Sequence, residues 1–237
     1  MIDLTTFPTP FNVAIIGASG GVGEAFCEAL DGHKRVGNIY RFSRNAQGTL
    51  PLDLCDEASI KAAAAVDKPL HLIILATGLL HDSDLMPEKS LNDITADNMA
   101  RLMAVNVIGP ALVAKHFIPL LPRQEKSVFA ALSARVGSIS DNRMGGWHSY
   151  RASKAALNML LKNIAIETAR KYKHASVIGL HPGTVDTGLS SPFQTNVKEG
   201  KLFSPQQSAQ YLLSVINTVN TADTGKIFAW DGEEIQP

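Results

Sequence analysis

Charge of one sign is what this sequence most plainly lacks. Lys plus Arg number 22, Asp plus Glu number 22, and the formal net charge is zero. No global basic field is available to recruit nucleic acid or an anionic membrane, so neither is an expected partner. Cysteine is scarce as well. Cys27 and Cys55 make no disulfide framework and are expected to stay reduced, in a cytoplasmic setting. The opening MIDLTTFPTPF lacks the basic and apolar regions of a secretory signal. The most apolar run, 70–80, contains His71, Thr77 and Gly78, and it is far shorter than the roughly 20 residues a membrane helix needs. The seven histidines include no HxxxH pair, so no metal site is expected.

What is present is an ordinary globular composition, 45% hydrophobic and 19% charged over 237 residues. Short β-branched runs alternate with longer helical ones. Residues 12–17, 38–43, 70–76, 127–133, 175–180 and 225–230 read as strands, several apolar on both faces, as in a covered parallel sheet. Helical stretches fall near 22–30, 57–65, 96–121, 147–172 and 205–219. This alternation predicts a doubly wound α/β fold in one domain spanning 1–237. The longest stretch without periodicity is 186–203, rich in Gly, Ser, Thr and Pro. It follows a strand end, where ligands bind in such sheets, and is expected to be a substrate loop.

The first strand runs into Gly17-Ala18-Ser19-Gly20-Gly21-Val22-Gly23, which opens a helix. Such a turn lets a phosphate approach the backbone, and the helix start offers unpaired N–H groups and a positive dipole end. Gly17, Ser19, Gly21, Val22 and Gly23 are therefore candidate cofactor contacts. Glu24 follows Gly23 where a P-loop would need Lys and Ser or Thr. In a dinucleotide fold the residue about 20 positions further contacts the adenosine ribose. Here that residue is Ser43, followed by Arg44, with Arg41 nearby. A neutral residue beside an arginine favours a 2′-phosphate, hence NADP(H). Asp53, with Leu54 beside it, ends the next segment and is placed to accept from the adenine amino group.

Tyr150 and Lys154, in Ser149-Tyr150-Arg151-Ala152-Ser153-Lys154, are spaced i and i+4 on one helix face. A nearby ammonium is expected to lower the tyrosine pKa and let the pair exchange a proton with an alcohol or carbonyl oxygen. The long helices around 96–121 and 147–172 are apolar on more than one face, which predicts a symmetric homo-oligomer.

With these motifs in order, the chain resembles a short-chain dehydrogenase/reductase over essentially its whole length. It is most similar to the branch of C-signal-like and carbonyl-reductase-like proteins. The resemblance implies strand order 3-2-1-4-5-6-7, dimers or tetramers, and hydride transfer with Tyr150 as acid or base. It implies that Lys154 binds the nicotinamide ribose and that Asn106, in Val105-Asn106-Val107, holds a proton-relaying water. It further implies that Pro182, Gly183, Val185 and Thr187 hold the nicotinamide carboxamide, and that Gly78 lets the backbone pass the adenosine.

Two departures stand out. The family's Asn-Asn-Ala-Gly segment reads Leu75-Ala76-Thr77-Gly78 here. The family's catalytic serine falls on Ala134, in Ser133-Ala134-Arg135-Val136-Gly137-Ser138. Ser133 should point to the other side of the strand. Ser138 lies in the loop, where it can fold back toward Tyr150, and is the candidate ahead of Ser133; a site in which neither acts is the third option. His148, His181, Arg135, Arg143 and Trp147 flank these motifs and are candidate pocket residues. The reading is an NADP(H)-dependent oxidoreductase acting on a carbonyl or alcohol. The alternative is a catalytically weak nucleotide-binding regulatory protein on the same fold, which Ala134 favours. An epimerase or dehydratase would need a larger substrate domain than this chain has.

Overall fold

A computed structural model describes residues 2–66 and 69–237. Its centre is a seven-stranded parallel sheet. The strands are β1 (Phe11–Ile16), β2 (Val36–Ser43), β3 (Leu50–Pro51), β4 (Leu72–Leu75), β5 (Ser127–Leu132), β6 (Ala175–His181) and β9 (Ile227–Ala229). Their order across the sheet is β3-β2-β1-β4-β5-β6-β9. This is the expected topology, with β9 in the seventh place because two short strands, β7 (Thr184–Val185) and β8 (Leu202–Phe203), pair apart in a small sheet of their own.

Every residue of β1 and β4 is buried. That follows from their sequences, FNVAII, in which Asn12 alone is polar, and LIIL, which a sheet covered on both faces accommodates. Alternate side chains serve opposite layers. Val13, Ile15, Leu72 and Ile74 meet Phe26 and Leu30 of α1 (Gly21–Leu30), and Leu212 and Ile216 of α6 (Pro205–Thr218). Ala14, Ile16, Ile73 and Leu75 meet Phe117 of α4 (Gly109–Phe117), and Leu157 and Leu161 of α5 (His148–Lys171). Ser204, Pro205 and Gln207 start α6 with a capping box. Asp56 caps the short α2 (Glu57–Ala63) by accepting from the Ala58 N–H.

The helical stretch expected over 96–121 is not one regular helix. It comprises α3 (Ala96–Met103), a π-helical turn (Ala104–Ile108), α4 and a 3₁₀ turn (Ile118–Leu120). Among the described residues, the run Ala96–Leu120 is also the one that by length and composition is apolar enough to cross a membrane, which attention to 70–80 alone overlooks. Here Val113, Ala114 and Phe117 of that run pack on the sheet, and the π turn buries the polar Asn106.

The 186–203 segment is not structureless. Ser191–Asn196 forms 3₁₀ turns, and its two ends are tied by the β7–β8 ladder, Thr184 beside Leu202 and Val185 beside Phe203. Phe203 is anchored by edge contacts to Trp230 (4.7 Å between ring centroids) and Tyr211 (5.4 Å).

Candidate active site

Two clefts open along the carboxyl ends of the parallel strands, of about 740 and 520 Å³, both within the range of small-molecule sites. They share Gly20, Ala76, Thr77 and Gly78 as lining residues, so they form one groove.

The glycine turn builds the shared wall. Gly17 has φ +88°, and a Cβ there would lie 2.7 Å from the Ala76 carbonyl oxygen, so the turn can cross the end of β4 only without a side chain. Gly23 lines neither cleft, contrary to its reading as a cofactor contact. A Cβ at Gly23 would stand 2.0 Å from the Gly17 carbonyl oxygen, so its absence lets α1 pack against the turn. Ser19 lines the first cleft, and Gly21 and Val22 the second.

The far end of the first cleft holds Ser43, Arg44, Asp53 and Leu54, as expected. Their side chains differ in availability. Ser43 Oγ is committed to its own turn, 2.7 Å from Thr49 Oγ1 and accepting from the Ala46 N–H at 3.1 Å. Asp53 Oδ1 accepts from the Cys55 N–H at 2.9 Å. Arg41 turns away to pair with Asp31 at 3.1 Å. Arg44 is exposed and has no ion pair among the described residues. Arg101 and Asp82 also line this cleft and pair with each other. Sequence spacing gave no sign of them, because they come from separate segments.

Tyr150 and Lys154 lie on one face of α5, both buried, and both line the second cleft. The expected lowering of the tyrosine by the lysine does not appear in this arrangement. Lys154 Nζ donates to the Leu132 carbonyl at 3.0 Å and stands 5.8 Å from the centroid of the Tyr150 ring. Burial then dominates both groups: it pushes the Tyr150 hydroxyl well above its usual value and the Lys154 ammonium down to about 8. Tyr150 is accordingly a protonated phenol at neutral pH.

The residues flanking the pair are fixed through contacts remote in sequence. Asn106 lines neither cleft. Its side chain accepts from the Leu79 N–H and donates to the Leu79 carbonyl, both at 2.8 Å, and donates to Ser153 Oγ at 3.0 Å. It thus pins the β4 end beside Lys154, and a Cβ on Gly78 would stand 3.5 Å from Lys154 Nζ. At the start of α5, Trp147 sits in the left-handed region with φ +51°, uncommon for a bulky residue. Its N–H donates to the Glu88 carbonyl at 2.6 Å. The buried Glu88 carboxylate accepts from the Ser149 N–H at 3.1 Å and from the Ser149 hydroxyl. Glu88 was not legible as a site residue, since nothing local in the sequence links it to a helix 60 positions away.

Neither serine supplies a free hydroxyl. Ser138 is buried outside the second cleft; its Oγ accepts from the Asp141 N–H at 3.1 Å and lies 3.3 Å from Ser140 Oγ. It does not fold back toward Tyr150 because it closes the turn Arg135–Gly137 and faces the following loop. Ser133 reaches the cleft but donates to Asn158 Oδ1 at 2.6 Å. Ala134 itself lines the cleft.

From the last strands, Pro182, Gly183, Val185 and Thr187 all line the second cleft. A Cβ on Gly21 would stand 2.7 Å from the Thr187 methyl, so this segment lies directly across the glycine turn. The rest of the wall is mostly apolar, with Leu80, Val136, Trp147, Leu189, Phe193 and Val197, and its polar members are Arg135, His181, Thr184 and Ser190. Trp147 meets Phe193 edge-on at 4.9 Å and Tyr150 at 6.1 Å. Arg135 is spoken for by Glu233 at 2.7 Å and Asp141 at 3.4 Å. Arg143 and His148 line neither cleft.

Compared with known proteins, residues 12–198 match the family model described as short chain dehydrogenase. The chain belongs to the short-chain dehydrogenase family. Among curated relatives of this family member, C-signal of Myxococcus xanthus is 33% identical over 62% of this chain and 82% of its own length. The 1-hydroxy-2-glutathionyl-2-methyl-3-butene dehydrogenase of Rhodococcus sp. is 30% identical over 78% of both chains. Among solved structures, the NADPH-bound carbonyl reductase from chicken fatty liver superimposes with a TM-score of 0.83 at 24% identity, over 97% of this chain and all of the other. At that identity the likeness establishes the fold.

Proposed function

We propose that the protein reduces an uncharged carbonyl compound with NADPH, Tyr150 giving the proton to the substrate oxygen. The observation that carries this reading is the placing of buried, protonated Tyr150 and of Lys154 in the wall of a cleft continuous with the glycine turn. The groove suits a dinucleotide: the glycine turn lines both clefts, and Thr77 Oγ1, in the wall they share, is buried without a partner among the described residues. When bound, the nicotinamide supplies hydride to the substrate carbon. The turn and the start of α1 would hold the pyrophosphate, Arg44 a 2′-phosphate, and Pro182 to Thr187 the nicotinamide end. Lys154 offers a buried cation for the ribose, and Asn106 acts as a positioning residue for the Gly78–Leu79 backbone. The apolar, aromatic wall excludes water from the proton donor and favours a substrate with an aryl or alkyl body. A protonated phenol suits carbonyl reduction better than alcohol oxidation, which needs a base.

Side-by-side turnover of NADPH and NADH on a panel of aryl aldehydes and ketones tests the reading. Tight NADPH binding without turnover on any of them would give the site to the nucleotide-binding regulatory reading that Ala134 favours. Arg44→Ala is expected to weaken NADPH by about tenfold, as the loss of a charge-assisted phosphate contact should, and to leave NADH unchanged in a fluorescence titration. Equal weakening of both would remove Arg44 from the 2′-phosphate site.

The reading includes a symmetric homodimer or homotetramer. Ile108, Met159 and Ile166 are more than half exposed beside or on the helices that carry Asn106 and Tyr150. Sedimentation at micromolar concentration should show a dimer or tetramer; a monomer would refute this part.

A further inference from the structure

His181 is the last residue of β6 and lines the second cleft. β5 and β6 are in parallel register, Leu132 beside Leu180, and the Ser133 N–H donates to the Leu180 carbonyl at 2.8 Å. His181 therefore leaves the sheet next to Ser133 and Ala134, where the family pattern would put its serine. Neither ring nitrogen has a hydrogen-bond partner among the described residues, and Nδ1 is enclosed.

A neutral imidazole carries one donor and one acceptor. Buried donors are left unpaired more rarely than acceptors are left under-used. On that ground the lone pair is assigned to the enclosed Nδ1 and the proton to Nε2, which is not among the enclosed unpartnered atoms. Burial and the Arg135 guanidinium, against Asp231, hold the ring down to about 4, so it is neutral in ordinary buffers. Burying the neutral ring costs little, and a hydrogen-bond donor waits beside the alanine that cannot supply one.

We propose that His181 is a catalytic residue, donating a hydrogen bond from Nε2–H to the substrate oxygen in place of the serine that Ala134 replaces. This rests on the reductase reading of the same cleft. The hydrogen bond polarises the carbonyl while Tyr150 transfers the proton, so no additional proton leaves His181.

Two measurements test it. In the first, ¹⁵N NMR of histidine-labelled protein, without substrate, reads the tautomer directly. The Nε2–H form is expected, and the Nδ1–H form would overturn the proposal even if no substrate were found. In the second, kcat/KM is measured with NADPH and benzaldehyde or acetophenone. His181→Ala should lose about 10²-fold, the usual scale for one oxyanion donor, with NADPH affinity unchanged. His181→Gln, which keeps a neutral donor, should recover part of it. Ala134→Ser in the His181→Ala background should restore most of the loss. If Tyr150→Phe is inactive while His181→Ala matches wild type, the histidine proposal fails and the reductase reading stands. If Tyr150→Phe is as active as wild type, the reductase reading itself fails. If Ala134→Ser accelerates wild type and His181→Ala by equal factors, the two donors are independent and the substitution argument is wrong.

Discussion

Tyr150→Phe should reduce carbonyl turnover by about 10²–10⁴-fold, the usual share of a positioned acid, with NADPH affinity and melting temperature unchanged. The ring is only 7% exposed and packs edge-on against Trp147, and phenylalanine keeps the burial and the contact. The hydroxyl has no partner within the protein among the described residues, and the nearby lysine is occupied by the Leu132 carbonyl. Deleting the oxygen therefore breaks no structural hydrogen bond, which separates the chemical effect from a folding effect. Turnover equal to wild type would show that another group delivers the proton.

Gly23→Ala should damage the protein through a single methyl group. In a helix start, alanine ordinarily outperforms glycine by about 1 kcal/mol, so propensity alone predicts stabilisation. Here the added carbon would meet the Gly17 carbonyl oxygen at 2.0 Å and the Gly17 carbonyl carbon at 2.8 Å. Both are backbone atoms, with no rotamer to yield. Either α1 moves out or the turn opens, at about 1–3 kcal/mol by the scale of overpacked cores. Either movement displaces the N–H groups a phosphate would use, so NADPH affinity should fall by at least about tenfold, roughly 1.4 kcal/mol. Gly20→Ala is the matched control for the melt, since its nearest neighbour would be 3.5 Å away; it lines both clefts and is no control for the titration. Thermal melts of both variants and cofactor titration of Gly23→Ala decide the matter. If Gly23→Ala melts and binds like wild type, the close approach of α1 to the turn is wrong.

The strands legible in the sequence were those with apolar runs, and the sheet order followed from the resemblance. β3, with only Leu50 and Pro51, and the β7–β8 pair carry too few residues for periodicity, and their existence depends on distant partners. The glycine turn and the Tyr150–Lys154 pair were legible because each is a local pattern whose spacing has a physical meaning. Asn106, Glu88 and Ser138 were not legible in the same way. A hydroxyl or an amide identifies a capacity to bond, whereas the partner is chosen by the fold: Leu79 for Asn106, Ser149 for Glu88, the Asp141 backbone for Ser138. The tyrosine pKa shows the same limit. Spacing places a cation near a phenol, but only burial determines which of desolvation and attraction is larger.

The small β7–β8 ladder separates the pocket's evolution from the enzyme's stability. Because Thr184–Val185 and Leu202–Phe203 close the segment at its base, the residues between them form an insert whose ends are held side by side. Lengthening such a loop is thermodynamically mild, about 0.6 kcal/mol per doubling. The aromatic anchor of Phe203 on Trp230 and Tyr211 lies outside the insert. Leu189, Phe193 and Val197, which line the second cleft, lie inside it. Selection, or a library grafted between positions 186 and 201, can thus exchange one wall of the second cleft as a cassette, with Tyr150, Lys154 and the glycine turn left as they are.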